Sequence, residues 1–167
     1  MRHKLSYDLF RSLSSDSALR HASSSRFVEL RLNGEYHGTS AAVEYAVSSL
    51  KVAHIVVLGH SNCGGVKGCH DMCRGHAPEL EAKSSFVGRW MDILRPGYER
   101  IKDLPEQDQA IALEKEAVLV SLQNLKTFPF VADDVESGKI SIHGLWHNIG
   151  EGSIEEFLFK EGKFCKI

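Results

Sequence analysis

The stretch that decides the fold is Val52-Ala-His-Ile-Val-Val-Leu-Gly-His60-Ser-Asn-Cys63-Gly-Gly-Val-Lys-Gly68. It opens with an apolar run rich in β-branched residues, Val52 to Leu58, which is typical of a strand covered on both faces. Gly59 lets the chain turn at the carboxyl end of that strand, where open α/β sheets place their ligands. Because imidazole and thiolate both bind Zn²⁺ well, His60 and Cys63 predict two ligands of a metal site at this turn.

The bulk properties are those of one ordinary globular domain and exclude several classes of function. The chain has 167 residues, of which 43% are hydrophobic and 25% charged. Its formal net charge of -2 gives no support to a basic nucleic-acid-binding face, so we expect no nucleic-acid partner. No apolar run approaches the length of a membrane span, and no apolar stretch follows Met1-Arg-His-Lys as in a secretory signal. We therefore expect no membrane partner and a cytoplasmic location.

The cysteines are clustered around the same turn. Cys63, Cys69 and Cys73 fall within one short stretch interleaved with histidines, while Cys165 stands near the end of the chain. In a reducing compartment this clustering favours metal binding over disulfides. The alternative for Cys69 and Cys73 is structural, since residues four apart share one face of a helix.

The pattern along the chain separates residues 1–33, a serine-rich and atypical segment, from a domain at 34–167. Helices are predicted from Thr39 or Ser40 to Leu50, from Pro78 to Leu94 with a break at Arg95-Pro-Gly97, from Pro105 to Thr127, and over 131–136. A strand is predicted at Lys139–Trp146, and a strand or hairpin around Glu161-Gly162. Phe86 and Leu94 are expected on the inner face of their helix. Glu114-Lys-Glu116 is expected on a solvated helix face.

Two chemical interpretations compete at the turn after Leu58. Zinc with three protein ligands keeps a position for water and lowers the pKa of that water to about 7, whereas a fourth protein ligand makes a closed, structural site. The rival is a phosphate-binding loop over Gly59–Lys67. That loop lacks the Lys-Ser/Thr pair of a P-loop, so the metal interpretation is favoured.

Four blocks of sequence together resemble the carboxyl-terminal part of a β-class carbonic anhydrase. The resemblance covers residues 34–167 and rests on motifs that occur in the family's order. The blocks are Gly34-Glu-Tyr-His-Gly-Thr-Ser-Ala-Ala-Val-Glu-Tyr-Ala-Val47, His54-Ile-Val-Val-Leu-Gly-His60-Ser-Asn-Cys63-Gly-Gly65, Glu116-Ala-Val-Leu-Val-Ser-Leu-Gln-Asn-Leu125 and Ile142-His-Gly-Leu-Trp146.

The resemblance implies a fold, a reaction and a cofactor. The fold is an α/β domain whose central sheet is mainly parallel and flanked by helices. The reaction is the reversible hydration of carbon dioxide to bicarbonate, with Zn²⁺ held by two cysteines and one histidine. His60 and Cys63 match the second and third of these ligands. Family members pair through shared surfaces, so a homo-oligomer is also implied.

The chain departs from the family at the first zinc ligand. That ligand belongs to an upstream Cys-x-Asp-x-Arg motif, and this sequence has no cysteine before Cys63. The upstream stretch most similar to this motif is Ser14-Ser-Asp16-Ser-Ala18, where serine replaces the cysteine and alanine replaces the arginine. A serine hydroxyl is a poor substitute for thiolate at zinc. The third ligand is therefore left open, with Cys69, Cys73 or a nearby histidine as candidates, and no catalytic residue is assigned.

The amino-terminal departure also concerns the sheet. The family places two apolar parallel strands before the Gly-Thr-Ser helix, and only Phe27–Leu32 could serve as one of them here. Incomplete amino-terminal strands predict poor cover for Ile55, Val57 and Leu58. The abrupt change near Asn33 suggests a frameshifted or mis-started gene. The alternative function is therefore a catalytically inactive, zinc-binding remnant of a carbonic anhydrase.

Overall fold

The computed structural model describes residues 38–81 and 86–167. Three features predicted from the sequence lie outside the described residues, and the predictions about them stay predictions. They are the serine-rich segment 1–33, the motif-like stretch Ser14–Ala18 and the candidate strand Phe27–Leu32.

The described strands form one mixed sheet with the spatial order β1-β2-β3-β4. Strand β1 (His54–His60) pairs in parallel with β2 (Ser141–Asn148), while β3 (Ser153–Leu158) and β4 (Lys163–Lys166) continue the sheet as antiparallel neighbours. A parallel pair needs a long crossover, and the helices between β1 and β2 supply it. The predicted α/β fold with helices flanking a sheet is confirmed. In the described ranges β1 is an end strand, with β2 as its neighbour.

Six α-helices are present in the described ranges, with two shorter helical turns. The α-helices are α1 (Gly38–Glu44), α2 (Gly64–Cys73), α3 (Phe86–Asp92), α4 (Arg95–Ile101), α5 (Glu106–Leu125) and α6 (Pro129–Glu136). Helix α1 continues as a π-helical turn at Tyr45–Ser49, and a 3-10 turn covers Pro78–Glu81. None of these helices is long and apolar enough to cross a membrane.

The helix is broken close to the predicted position, since α3 ends at Asp92, but Arg95-Pro-Gly97 begins the next helix, α4. The proline occupies the first turn of that helix, where its missing N–H would have no acceptor within the helix anyway. Phe86 and Leu94 were both predicted on the inner face of the helix from Pro78 to Leu94. Leu94 is fully buried, as predicted, whereas Phe86 is 62% exposed.

Helix α5 packs closely on one face of β1 and β2. Val118 and Leu122 of α5 form a buried cluster with Ile142, against which Ile55 and Val57 pack. Glycine permits the close approach: a Cβ added at Gly59 would lie 2.6 Å from Cγ2 of Val118. This contact fixes the carboxyl end of β1 against the helix.

The predicted weakness in the cover of β1 is seen in part. Leu58 is 40% exposed, while Ile55 and Val57 are half-buried among residues of the core clusters. Side chains on a strand alternate between faces, so Leu58 lies on the face opposite α5. The less covered part of β1 is therefore the face that α5 does not reach.

Candidate metal centre

His60 is the last residue of β1, which runs two residues beyond the predicted end at Leu58, so that Gly59 lies inside the strand and not at the predicted turn. Its Nδ1 lies 2.9 Å from the carbonyl oxygen of Ser61. Because a carbonyl oxygen only accepts, Nδ1 carries the proton and donates, and the lone pair of a neutral ring is then on Nε2. Nε2 is therefore the atom through which His60 would bind a metal ion.

The turn between His60 and Cys63 is held by β2. The Ser61 N–H donates to the carbonyl of His147 at 2.8 Å, and the Ser61 hydroxyl accepts from the N–H of Ile149 at 2.9 Å. Asn62 adopts a left-handed conformation with φ of 56°, a region where asparagine is enriched among non-glycine residues. The two hydrogen bonds of Ser61 therefore hold the turn against the end of β2, and the backbone of Asn62 reverses its direction.

Cys63 immediately precedes helix α2 and is buried. Its backbone is extended, with φ of -71° and ψ of 116°, and only 7% of the residue is exposed. Its N–H donates to Oε1 of Glu114 at 3.4 Å. The histidine and cysteine of the predicted site thus lie at the two ends of one short connection between β1 and α2, in which Ser61 and Cys63 are buried and Asn62 is exposed.

Glu114 lies beside the predicted metal ligands, and its predicted place on a solvated helix face is wrong. It is only 6% exposed, and its Oε2 accepts from the indole N–H of Trp146 at 3.3 Å. The carboxylate therefore links the turn after β1 to a core residue of β2. A signal was present in the sequence: Glu114 extends by one turn the buried stripe formed by Val118, Leu122 and Leu125.

Cys69 and Cys73 form a separate pair on α2, with their sulfur atoms 3.9 Å apart. Burial, and then the neighbouring Cys73, raise the pKa of the Cys69 thiol from its ordinary value of 9.0 to about 12. Burial likewise raises the pKa of the Cys73 thiol. Cys69 is fully buried in the core cluster against which Cys73 packs. Their packing fits the structural alternative, in which the two cysteines share a helix face.

The described residues do not complete a zinc site. In the ranges 38–81 and 86–167, no three histidine, cysteine, aspartate or glutamate side chains lie together as a group that could hold a metal ion. Neither Cys69 nor Cys73 is therefore assembled with His60 and Cys63 into such a group. His70, the histidine next to Cys69, has its Nε2 2.9 Å from the side-chain oxygen of Gln109. His60 and Cys63 therefore stay predicted ligands, and the described ranges bring no group of three candidate ligands together around them.

Comparison with known proteins gives the class of this chain. The family model described as carbonic anhydrase matches residues 21–154, a match that begins inside the serine-rich segment. Over 125 residues, the chain is 38% identical to beta carbonic anhydrase 3 of Arabidopsis thaliana, which covers 72% of this chain. The chain belongs to the β-carbonic anhydrase family. It spans about half of that relative's length, 47%.

Solved structures show the same fold. The β-carbonic anhydrase CcaA matches with a TM-score of 0.73 at 24% identity, over 96% of this chain and 90% of that chain. The β-carbonic anhydrase of Coccomyxa, solved in complex with acetazolamide, matches with a TM-score of 0.60 at 24% identity, over 73% of this chain and 54% of that chain. A tetrameric β-carbonic anhydrase of Sordaria macrospora matches with a TM-score of 0.59 at 24% identity, over 80% and 63% of the two chains.

Proposed function

We propose that this chain binds Zn²⁺ through Nε2 of His60 and Sγ of Cys63 and takes carbon dioxide and bicarbonate as substrates. The observation that carries the proposal is the placement of both side chains on one rigid turn at the carboxyl end of β1. Membership of the β-carbonic anhydrase family supports the reaction class, the reversible hydration of carbon dioxide. The third ligand comes from outside the described residues.

The roles of this chain's own residues follow from the contacts at the turn. Bound zinc would supply a water molecule acidic enough to ionise near neutral pH. The carbonyl of Ser61 orients the His60 ring, and the Glu114 carboxylate holds the N–H of Cys63. Such supporting contacts set the orientation of metal ligands.

The alternative proposal is a catalytically inactive remnant that binds zinc weakly. It is favoured by the donor set, since the described ranges bring together two candidate ligands and no third. Two donors give a weaker site than the three or four of known zinc proteins. The two proposals differ in zinc stoichiometry and in activity.

The first experiment measures zinc in the purified full chain by elemental analysis after dialysis against a weak chelator. His60→Ala and Cys63→Ser should lose the metal, and Cys165→Ser is the matched control because Cys165 lies on β4, away from the turn. One zinc per chain, lost in both site variants, supports a recruited third ligand. Little zinc in the wild-type chain supports the remnant.

A carbon dioxide hydration assay on the zinc-loaded chain then separates an enzyme from a structural metal site. Hydration above the buffer rate that disappears in Cys63→Ser supports the proposed reaction. Tightly bound zinc without hydration contradicts it and indicates a closed site.

Association and location complete the proposal. We propose a homo-oligomer, supported by the tetrameric relative of Sordaria macrospora, and sedimentation of the purified chain tests it. We also propose a cytoplasmic location. A fluorescent fusion checks the location.

A further inference from the structure

A second cluster of polar side chains lies on the sheet face opposite α5. Nδ1 of His54 is 2.6 Å from the hydroxyl of Ser141, and that hydroxyl is 2.9 Å from Nε2 of His143. Nδ1 of His143 is in turn 3.3 Å from Oε1 of Glu156. The four side chains form one hydrogen-bonded line across strands β1, β2 and β3.

The strand register places this line away from the metal centre. His54 pairs with Ser141 at the beginning of the two parallel strands, whereas His60 pairs with His147 near their end. Six residues of strand separate the two positions, about 20 Å. The side chains of His143 and Glu156 are only 16% and 14% exposed, so both are held in a largely desolvated setting.

The direction of each hydrogen bond follows from which groups can donate a proton and which can only accept one. An ionised Glu156 carboxylate only accepts, so Nδ1–H of His143 donates to it and Nε2 of the neutral ring becomes an acceptor. The Ser141 hydroxyl therefore donates its proton to His143. His54 is left to donate its Nδ1–H to the Ser141 oxygen. The hydroxyl thus faces a base that is itself oriented by a carboxylate.

A hydroxyl, a base and an orienting acid at these distances make an activated nucleophile. We propose that Ser141, His143 and Glu156 form a nucleophilic site for small activated acyl esters, independent of the metal centre. His54 lies on the other side of Ser141, with its ring centroid 5.6 Å from that of His143. Its Nδ1–H donates to the Ser141 oxygen at 2.6 Å and stabilises the negative charge that this oxygen gains as its proton passes to His143.

The reaction is an acyl transfer in two balanced steps. The Ser141 oxygen attacks the ester carbonyl carbon and its proton passes to Nε2 of His143. The bond to the leaving alcohol then breaks, and His143 returns the proton to the leaving oxygen. A water molecule next attacks the acyl-serine and gives a proton to His143. The free acid departs and the proton returns to the serine oxygen.

The test uses the metal-free full chain, kept in chelator, with p-nitrophenyl acetate as the probe. The expected result is release of p-nitrophenol with a transient acetyl group on the peptide that contains Ser141, detected by mass spectrometry. Ser141→Ala should abolish the adduct, and His143→Gln should lower the rate about 100-fold. The matched control is Ser153→Ala, because Ser153 donates to the Glu151 carboxylate and not to a histidine. It should react like the wild type.

Two outcomes would overturn the proposal. One is a Ser141→Ala chain that hydrolyses the ester as fast as the wild type, which would assign the hydrolysis to histidine alone. The other is a folded wild-type chain that neither releases p-nitrophenol above the buffer rate nor becomes labelled at Ser141 by a fluorophosphonate. The labelling and hydrolysis measurements on the wild-type chain do not depend on whether Ser141→Ala folds.

Discussion

The backbone N–H of Cys63 and the carboxylate of Glu114 meet at 3.4 Å, although 51 residues separate them in the sequence. The other carboxylate oxygen accepts from the Trp146 indole at 3.3 Å. One buried side chain thus joins α5 to the turn after β1 and to β2. A buried carboxylate is costly unless hydrogen bonds satisfy it, and here both oxygens accept one.

Glu114→Gln should destabilise the fold by about 1–3 kcal/mol, because an amide can accept from only one of the two N–H groups and its own NH₂ opposes the other. Urea unfolding followed by circular dichroism measures the change. The control is Glu106→Gln at the start of α5, whose side chain is 75% exposed and pairs with Arg74 at 2.7 Å. That variant should lose less stability than Glu114→Gln, because an exposed ion pair contributes little. Equal losses in the two variants would contradict the bridging role.

Gly59→Ala should cost about 1–3 kcal/mol through overpacking. The new Cβ would lie 2.6 Å from Cγ2 of Val118, a β-branched side chain with little rotamer freedom on a helix. Adding Val118→Ala should recover part of that loss relative to Val118→Ala alone. Gly64→Ala is the control, since nothing lies within 4 Å of its added Cβ. A double-mutant cycle in urea without coupling would refute the contact.

Alkaline pH should destabilise the chain through Cys69. Burial raises the pKa of its thiol from 9.0 to about 12, so between these values the folded chain keeps a proton that the unfolded chain releases. The contribution of this thiol is therefore fully present below pH 9 and is lost as the pH rises toward 12. Comparing urea midpoints between about pH 8 and pH 10.5 tests this. Cys69→Ala should show a shallower decline than Cys165→Ala, and parallel curves would count against it.

Lys115→Met should cost more stability than Lys139→Met. The Lys115 ammonium pairs with Glu155 at 2.6 Å and lies 4.7 Å from the centre of the Trp146 ring, with three quarters of its side chain covered. Lys139 pairs with Asp134 at 3.2 Å but is 71% exposed. We expect losses of about 1–2 kcal/mol and less than about 1 kcal/mol, measured by thermal unfolding. A larger loss in Lys139→Met would contradict this prediction.

The sequence was sufficient for the elements whose pattern is local. The strand predicted over Val52–Leu58 is found at His54–His60, and the long helix predicted over Pro105–Thr127 is found at Glu106–Leu125. The hairpin expected around Glu161-Gly162 is also present. Apolar periodicity and turn residues carry this information within a few neighbouring positions.

The sequence was insufficient where the outcome depends on distant partners. Glu114 looks solvated in a charged run, and its burial follows from donors on Cys63 and Trp146 that only the fold brings near. The line from His54 to Glu156 likewise depends on the register of three strands. Helical periodicity indicates that position 114 lies on the buried stripe of α5, but it identifies neither the donors to Glu114 nor the register of the strands.

The pairing of β1 with β2 also has a consequence for biosynthesis. His54 and its register partner Ser141 are 87 positions apart, so β1 emerges from the ribosome roughly 4–17 s before Ser141 at ordinary translation rates. During that interval β1 is present without β2, and an apolar strand with an unpaired edge is prone to intermolecular β-pairing. Helix α5 is translated before β2, so its packing against β1 would shorten the time for which that face of the strand stays uncovered.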